Sequence, residues 1–405
     1  MVVTDGAPSS LGLLVWTAGT GGGHRGVAAA ITQAASALPG LAGRVKTSEP
    51  LERASPALRR VLSAYGPLVR YAPLAWGGLF HLTQGHGVRS ALEAGLGRLL
   101  VPVLRAELIR EQPQAVVVLH PLLVASAVAA RRALPATVSR PAIVVLVTDL
   151  AGGHPSWVDP AVDRTLTASV AASRWARSLG APPDRITLVG LPVHPALADP
   201  APDAADRRAL RISLGLDPEL FCVLLSGGAE GAGPIASAAA CLLRSNLPLQ
   251  LAVICGRNHI LAQRLRRWRA PRPMRIAEFV EDVPSWLRSA DVVVGKAGPS
   301  SVAEAAAAGL PVLVTSALPG QERPNVALIE EEGFGASVPV RRLAEVVASL
   351  AAPGSARYQA MAAAARRWGR PRAAVTVAGL LAELALPPGR PRNGSAPPGG
   401  GRTPG

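Results

Sequence analysis

Aromatic residues make up only 3 % of this 405-residue chain, and just two lysines, Lys46 and Lys296, stand among its 42 basic residues. Nucleic-acid surfaces interleave basic clusters with exposed aromatic rings, and no such interleaving runs through the sequence. Nucleic acid is therefore not expected as a partner, although the net charge is +15. That charge points to phosphorylated substrates or an anionic membrane surface. The three cysteines, Cys222, Cys241 and Cys255, lie singly in apolar stretches with no CxxC pairing. This spacing excludes a disulfide scaffold or zinc site and reads as buried thiols in a reducing compartment.

Long hydrophobic runs are missing as well. The best candidate, Ala115 to Ala130, is too short to span a bilayer and is broken by His120 and Pro121. The opening "MVVTDGAPSS" lacks the charged start of a secretory signal, so a cytoplasmic protein, soluble or peripheral, is expected. There is no GxxxxGK[ST], GxSxG, HExxH or DxD. Any nucleotide handled here would be neutralised by helix dipoles and basic side chains, with no metal site and no obligatory cofactor.

What is present is a repeated alternation. Short apolar runs ending in Gly, Asp or His alternate with Ala/Leu/Arg-rich segments of helical period, the signature of parallel α/β sheets. Expected strands are 11–17, 115–119, 142–148 and 186–189 in the first half, and 221–225, 249–255, 275–279, 292–295 and 312–315 in the second. Both halves read as doubly wound Rossmann-like domains. A Pro/Asp-rich join at 192–204 divides the chain into a flexible 1–10, a domain over 11–195, a second over 196–370, a helix at 371–386 and a disordered Pro/Gly/Arg tail over 387–405.

The first glycine loop, "TAGTGGGHRGVAAAI" at 17–31, contains GxGxxG at Gly21, Gly23 and Gly26. A dinucleotide site also needs an acidic residue at the end of a second strand, about 20 positions on. Glu49 has nearly that spacing, but "GRVKTSEP" is a poor strand and the fit is weak. A glycine loop at a helix start suits any oxyanion, and the same dipole would keep His24 neutral, the state a general base needs. The plainer reading is a histidine that caps or packs.

In the second half, "VVVGKAGPSSVAEAAAAGLPVLVTSALPGQERPN" (292–325) reads as strand, glycine turn, helix, strand and polar loop. Ser301 and Glu304 have the spacing of a capping box. Alternatively, Gly298, Ser300 and Ser301 hold a diphosphate, Lys296 adds charge at the departing phosphate, and Glu304 accepts from ribose hydroxyls. Gln321, Glu322 and Asn325 suit sugar hydroxyls or belong to a solvated loop. "LLSGGAEGAGP" at 224–234 is another glycine turn after a strand, where a doubly wound domain receives phosphates. Between the first two strands expected in the first half lies an Arg/aromatic stretch, 56–112, that includes Arg59, Arg60, Arg70, Tyr65, Tyr71, Trp76 and Phe80. It reads either as a membrane-surface contact or as a helical cover for the sheet.

The order of "GTGGGH", "HPLL", "VTDL", "HPSWVDPAVDR", "GLPVHPA", "ICGRN", "KAGPSSVAEA" and "LPGQE" resembles the monogalactosyldiacylglycerol synthase and processive diacylglycerol glucosyltransferase family over about 11–385. These are GT-B glycosyltransferases, related to the enzyme that adds N-acetylglucosamine to lipid I. The resemblance implies a UDP-sugar co-substrate, held by the second domain through Gly227, Gly228, Arg257, Asn258, Phe279, Val280, Lys296, Gly298, Pro299, Ser300, Ser301, Glu304, Gln321, Glu322 and Asn325. It implies a lipid hydroxyl acceptor at Gly21, Gly22, Gly23, His120, Pro121, His154 and Trp157, with His24 or Asp149 as base and inversion at the anomeric carbon. It also places Arg59, Arg60, Arg70, Tyr71, Trp76 and Phe80 in a membrane-facing insertion on the inner face of the cell membrane. Ala229 and Ser300 depart from the family pattern by replacing glycines, which narrows the approach of a phosphate or sugar. A soluble or polyprenyl-linked acceptor, or a non-catalytic nucleotide-sugar or lipid-binding module, are the alternatives.

Overall fold

A computed structural model describes residues 11–19 and 22–385. The expectations for 1–10, Gly21 and 387–405 lie outside the described residues. The first sheet contains β1 (Leu13–Trp16), β2 (Val45–Ser48), β3 (Ala115–Val118), β4 (Ala142–Leu146), β5 (Arg164–Thr167) and β6 (Ile186–Leu188), in the order β2-β1-β3-β4-β5-β6. The second contains β7 (Phe221–Ser226), β8 (Leu249–Ile254), β9 (Met274–Ala277), β10 (Val292–Lys296), β11 (Val312–Ser316) and β12 (Gly335–Ser337), in the order β12-β11-β10-β7-β8-β9. Neighbouring strands are parallel throughout both sheets. Helices cover both faces, so central strands such as AVVV in β3 are buried end to end and carry continuous Val, Ile and Leu instead of alternating residues.

Three strands were not among those expected. β2 is "GRVKTSEP" itself: it pairs with β1 from Leu13↔Val45 to Trp16↔Ser48, but as an edge strand it buries little apolar surface. β12 is a three-residue edge of small residues, and β5 buries Thr165 and Thr167 beside one leucine. The acidic residue after β2, Glu49, forms an ion pair with Arg25 at 2.6 Å, so the dinucleotide reading loses its ribose ligand. Between β2 and β3 the chain inserts five helices: Pro50–Ala54, Pro56–Ser63, Tyr65–Tyr71, Pro73–Gln84 and His86–Glu111.

The strand order reverses between β1 and β3 in one sheet and between β7 and β10 in the other. In doubly wound sheets ligands bind outside the carboxyl ends of the strands at this switch point. The loops after β1, β3, β7 and β10 are therefore where a site belongs. The last helix, Ala373–Ala385, returns to the first domain and packs Ala374, Val377, Ala378 and Leu381 on β1, β3 and the helix Gly23–Ser36.

Candidate active site

The helix Gly23–Ser36 starts directly at the glycine loop, with Gly22 as N-cap and no side-chain cap. Its first N–H groups and positive dipole end thus face the switch point without a side-chain partner. His24 sits in that first turn, its Nδ1 3.3 Å from Thr148 Oγ1 and its ring edge-on to His120 at 5.0 Å. Burial pushes the imidazole down to about 4, against an opposing hydrogen bond with the Leu119 main chain. His24 is therefore neutral at pH 7.

Asp149, after β4, is buried and accepts the Trp157 indole N–H at 2.8 Å. Burial raises its carboxyl to about 6, while hydrogen bonds from Trp157 and Gln321 work in the opposite direction. His120 and His154 stand beside these groups but spend one ring nitrogen locally. His120 Nδ1 accepts from Leu122 N at 3.3 Å, His154 Nδ1 from Ser156 N at 3.2 Å and His194 Nδ1 from Ala196 N at 3.2 Å. Each histidine precedes a proline (Pro121, Pro155, Pro195) that opens the helical turn, since proline at the first position pre-sets φ and lacks the N–H that would need a partner. The His-Pro pairs are thus caps, and His24 is not one of them.

The side expected to hold the donor is built on glycines. Gly228, Gly231 and Gly233 have φ of 67°, 57° and 92°, which folds the loop after β7 back on itself. A Cβ at Gly228 would lie 3.6 Å from Lys296 Cε and 3.8 Å from Ser301 Oγ, so the loops after β7 and β10 lie against each other. Asn258 holds this frame: its side chain accepts from Leu261 N at 3.0 Å and donates to the Gly231 carbonyl at 3.1 Å. Arg257 pairs with Glu230 at 3.0 Å and lies 5.0 Å over the exposed Phe279 ring, while Val280 packs against the core.

The helix after β10 begins at Pro299 with Gly298 as N-cap. Ser301 is therefore already inside the helix, and the Ser301/Glu304 capping box does not form. Glu304 has no hydrogen-bonding or ionic partner among the described residues, and burial alone raises its carboxyl to about 7. Lys296 does not stand as a free cation: it pairs with the buried Glu322, whose other oxygen accepts from Leu318 N at 2.9 Å. Asn325 is fully buried and donates to the Ala297 carbonyl at 2.9 Å, leaving its Oδ1 unpartnered.

The two sides touch. A Cβ at Gly22 would overlap the Ala229 methyl, and one at Gly23 would come within 2.9 Å of Ser300 Oγ. Ala229 and Ser300, the positions expected to depart from the family pattern, thus lie against the opposite loop. From the insertion, Arg70 pairs with Glu230 at 3.2 Å and the Trp76 indole donates to Gln321 Oε1 at 3.2 Å. Phe80 is buried against His154, with ring centroids 5.8 Å apart. Arg70, Trp76 and Phe80, expected at a membrane, therefore turn inward because the cleft supplies their partners. Arg59, Arg60 and Tyr71 remain exposed, joined by Leu74, Leu79 and Leu82, which the sequence reading did not single out. Among the described residues no cluster of three or more His, Cys, Asp or Glu could hold a metal.

Two Rossmann-like domains, with a neutral histidine at one switch point and a turn of positive-φ glycines at the other, define the architecture of a GT-B glycosyltransferase. Solved structures share the fold: MurG of Acinetobacter baumannii has a TM-score of 0.57 at 16% identity, with 92% of this chain and 99% of that one covered. HepE of Anabaena, in complex with UDP and glucose, has a TM-score of 0.54 at 14% identity, covering 92% and 99%. Residues 24–193 match the family described as monogalactosyldiacylglycerol (MGDG) synthase, and residues 222–375 the glycosyltransferase family 28 C-terminal domain. A probable monogalactosyldiacylglycerol synthase 3 of Oryza sativa subsp. japonica is 31% identical over 399 residues, 95% of this chain and 76% of that protein. The monogalactosyldiacylglycerol synthase of Spinacia oleracea is 30% identical over 383 residues, 92% and 72%. The chain belongs to the monogalactosyldiacylglycerol synthase family.

Proposed function

We propose that this glycosyltransferase transfers a hexose from a UDP-sugar to the hydroxyl of diacylglycerol or a glycosyl-diacylglycerol, with inversion, at an anionic membrane surface. The observation that carries this reading is the meeting of the two switch-point loops, Gly22 and Gly23 against Ala229 and Ser300, which brings the helix start that bears His24 opposite the glycine turn and helix start of the second domain. The diphosphate fits the N-terminus of the helix Pro299–Ala307 and the turn at Gly227 and Gly228, where main-chain N–H groups and the helix dipole stabilise charge. As the acceptor hydroxyl attacks the anomeric carbon, its proton passes to the neutral His24 or to Asp149, the bond to the UDP oxygen breaks, and UDP leaves with the negative charge. One displacement inverts the anomeric centre. The relatives' names and the HepE complex with UDP and glucose support the acceptor and donor classes. Incubating the protein with anionic vesicles containing diacylglycerol and each of UDP-galactose, UDP-glucose and UDP-N-acetylglucosamine tests it. UDP release and a new glycolipid with at least one donor are expected; none with any donor overturns the reading.

Glu304 is proposed to accept from the ribose hydroxyls. Glu304→Gln is expected to weaken UDP binding about 10-fold or more, since a hydrogen bond to a charged group is worth about 1.5–3 kcal/mol. No loss of thermal stability should accompany it, because the carboxyl caps nothing and its raised pKa means that the charged form is disfavoured in the folded state. Titration calorimetry and a melting curve check both halves.

For the membrane contact, the helices Tyr65–Tyr71 and Pro73–Gln84 expose Tyr71, Leu74 and Leu82, Leu74 at 81% of its surface, next to exposed Arg59 and Arg60. Apolar side chains entering the interface beside arginines that meet anionic headgroups suit a peripheral protein on the inner face of the cell membrane. No described helix is long and apolar enough to cross a membrane. Leu74→Glu combined with Leu82→Glu is expected to lower binding to phosphatidylglycerol vesicles at least 10-fold in a flotation assay.

A further inference from the structure

Gln321 lies in the loop after β11, in the domain assigned to the donor, yet its side chain is held entirely from the other domain. Indole nitrogen can only donate, so the amide atom facing Trp76 Nε1 at 3.2 Å must be oxygen. The amide nitrogen is then left on the other side of the carboxamide, near Asp149, whose carboxyl Gln321 helps to hold down. Asp149 in turn receives the Trp157 indole N–H on Oδ2, so Trp76 is the donor-only group that sets the polarity of the Gln321 amide.

The insertion is built to keep Trp76 in place. Tyr65 meets its ring edge-on at 5.0 Å, and Phe80 lies 6.3 Å away. One residue on, Gly77 leaves room for Pro319, whose carbonyl would be 3.3 Å from a Cβ there. The turn residue Gly320, with φ of 79°, lies against Phe80 and His81. The Gln321 loop is thus seated on the helix Pro73–Gln84 by backbone-level contacts as well as by one hydrogen bond.

We propose that Trp76 is a positioning residue for the transferred sugar: its indole N–H sets the Gln321 carboxamide so that the amide N–H, and not the oxygen, is offered at the sugar's place in the cleft. This rests on the reading of the protein as a UDP-sugar transferase. An amide free to rotate offers a donor or an acceptor with equal ease and reads hydroxyl configuration poorly. One held at its oxygen presents a single face. The consequence is that the acceptor domain takes part in choosing the donor.

Trp76→Phe keeps an aromatic ring for Tyr65 and Phe80 and removes only the N–H donor. With the UDP-sugar that the wild-type protein uses best, KM for that donor should rise about 5- to 10-fold. The ratio of kcat/KM between UDP-galactose and UDP-glucose should move toward one, while acceptor KM and affinity for UDP without a sugar stay unchanged. Gln321→Ala should give the same pattern, and Trp76→Phe added to it should cost nothing more, because the two residues act as one unit. Unchanged donor KM and discrimination in Trp76→Phe, equal loss of UDP affinity and acceptor KM, or additive single effects each overturn the proposal. If the wild-type protein turns over no UDP-sugar, it is the underlying reading that fails.

Discussion

His24→Ala is expected to lower kcat by about 10²–10⁴, the usual contribution of a positioned general base, while UDP affinity stays at the wild-type level. UDP affinity should hold because the proposed nucleotide site lies at the loops after β7 and β10, whereas His24 belongs to the helix that follows β1. Equal losses in turnover and UDP affinity would refute the base role. The two candidate bases also differ in where acid switches them off. A base must be deprotonated to work, so kcat/KM falls as pH drops through the pKa of that group in the free enzyme. If Asp149 is the base, the acid limb lies near 6, and Asp149→Asn abolishes it. If His24 is the base, activity persists through pH 6 and falls only near 4. Measuring kcat/KM from pH 4.5 to 8 in wild type and in both variants separates the assignments.

The largest loss of stability is expected from Asp291→Ala. Asp291 precedes β10, and its carboxylate accepts from Arg207, from Arg211 at 2.7 Å and from the backbone N of Cys222 in β7 at 2.7 Å. Arg211 is buried and also donates to the carbonyls of Ser289 at 2.8 Å, Pro218 at 3.0 Å and Leu220 at 3.2 Å. One carboxylate thereby ties together the lower ends of the two central strands whose upper ends carry the donor loops. Removing it leaves a buried guanidinium without its anion, which costs about 3–5 kcal/mol. Chemical denaturation should show that loss in the transition of the second domain, and saturating UDP should recover part of it by binding only the folded state. A change below about 1 kcal/mol would contradict this account of the network.

The central strands were legible because a strand covered on both faces has to be apolar along its whole length, as in β3, β7, β8 and β10. β2 and β12 escaped because an edge strand need not be apolar, and β5 because it buries threonines. Switch-point glycines could be read directly, since a backbone turning at positive φ beside a ligand leaves few other residues possible. The spacing of Ser301 and Glu304 misled in one respect: with Gly298 as cap, the helix starts three residues earlier than a Ser301 cap would start it. The proline that follows His120 and His154 marks each as a cap. Partners far apart along the chain were not legible at all. Arg70 and Glu230, 160 positions apart, and Trp76 and Gln321, 245 apart, come from segments whose composition fits a lipid-facing surface as well as a cleft wall.

The return of the last helix to the first domain has a mechanical consequence. The chain crosses between the domains twice, and the crossings run side by side: a Cβ at Gly190 would come within 2.5 Å of Arg370 Cβ and 3.3 Å of Ala373 Cβ. Two adjacent tethers form a door hinge, where one tether would form a swivel. Rotation about that line is the relative motion expected of such a joint, and it would widen or narrow the gaps between Gly23 and Ser300 and between Trp76 and Gln321 together.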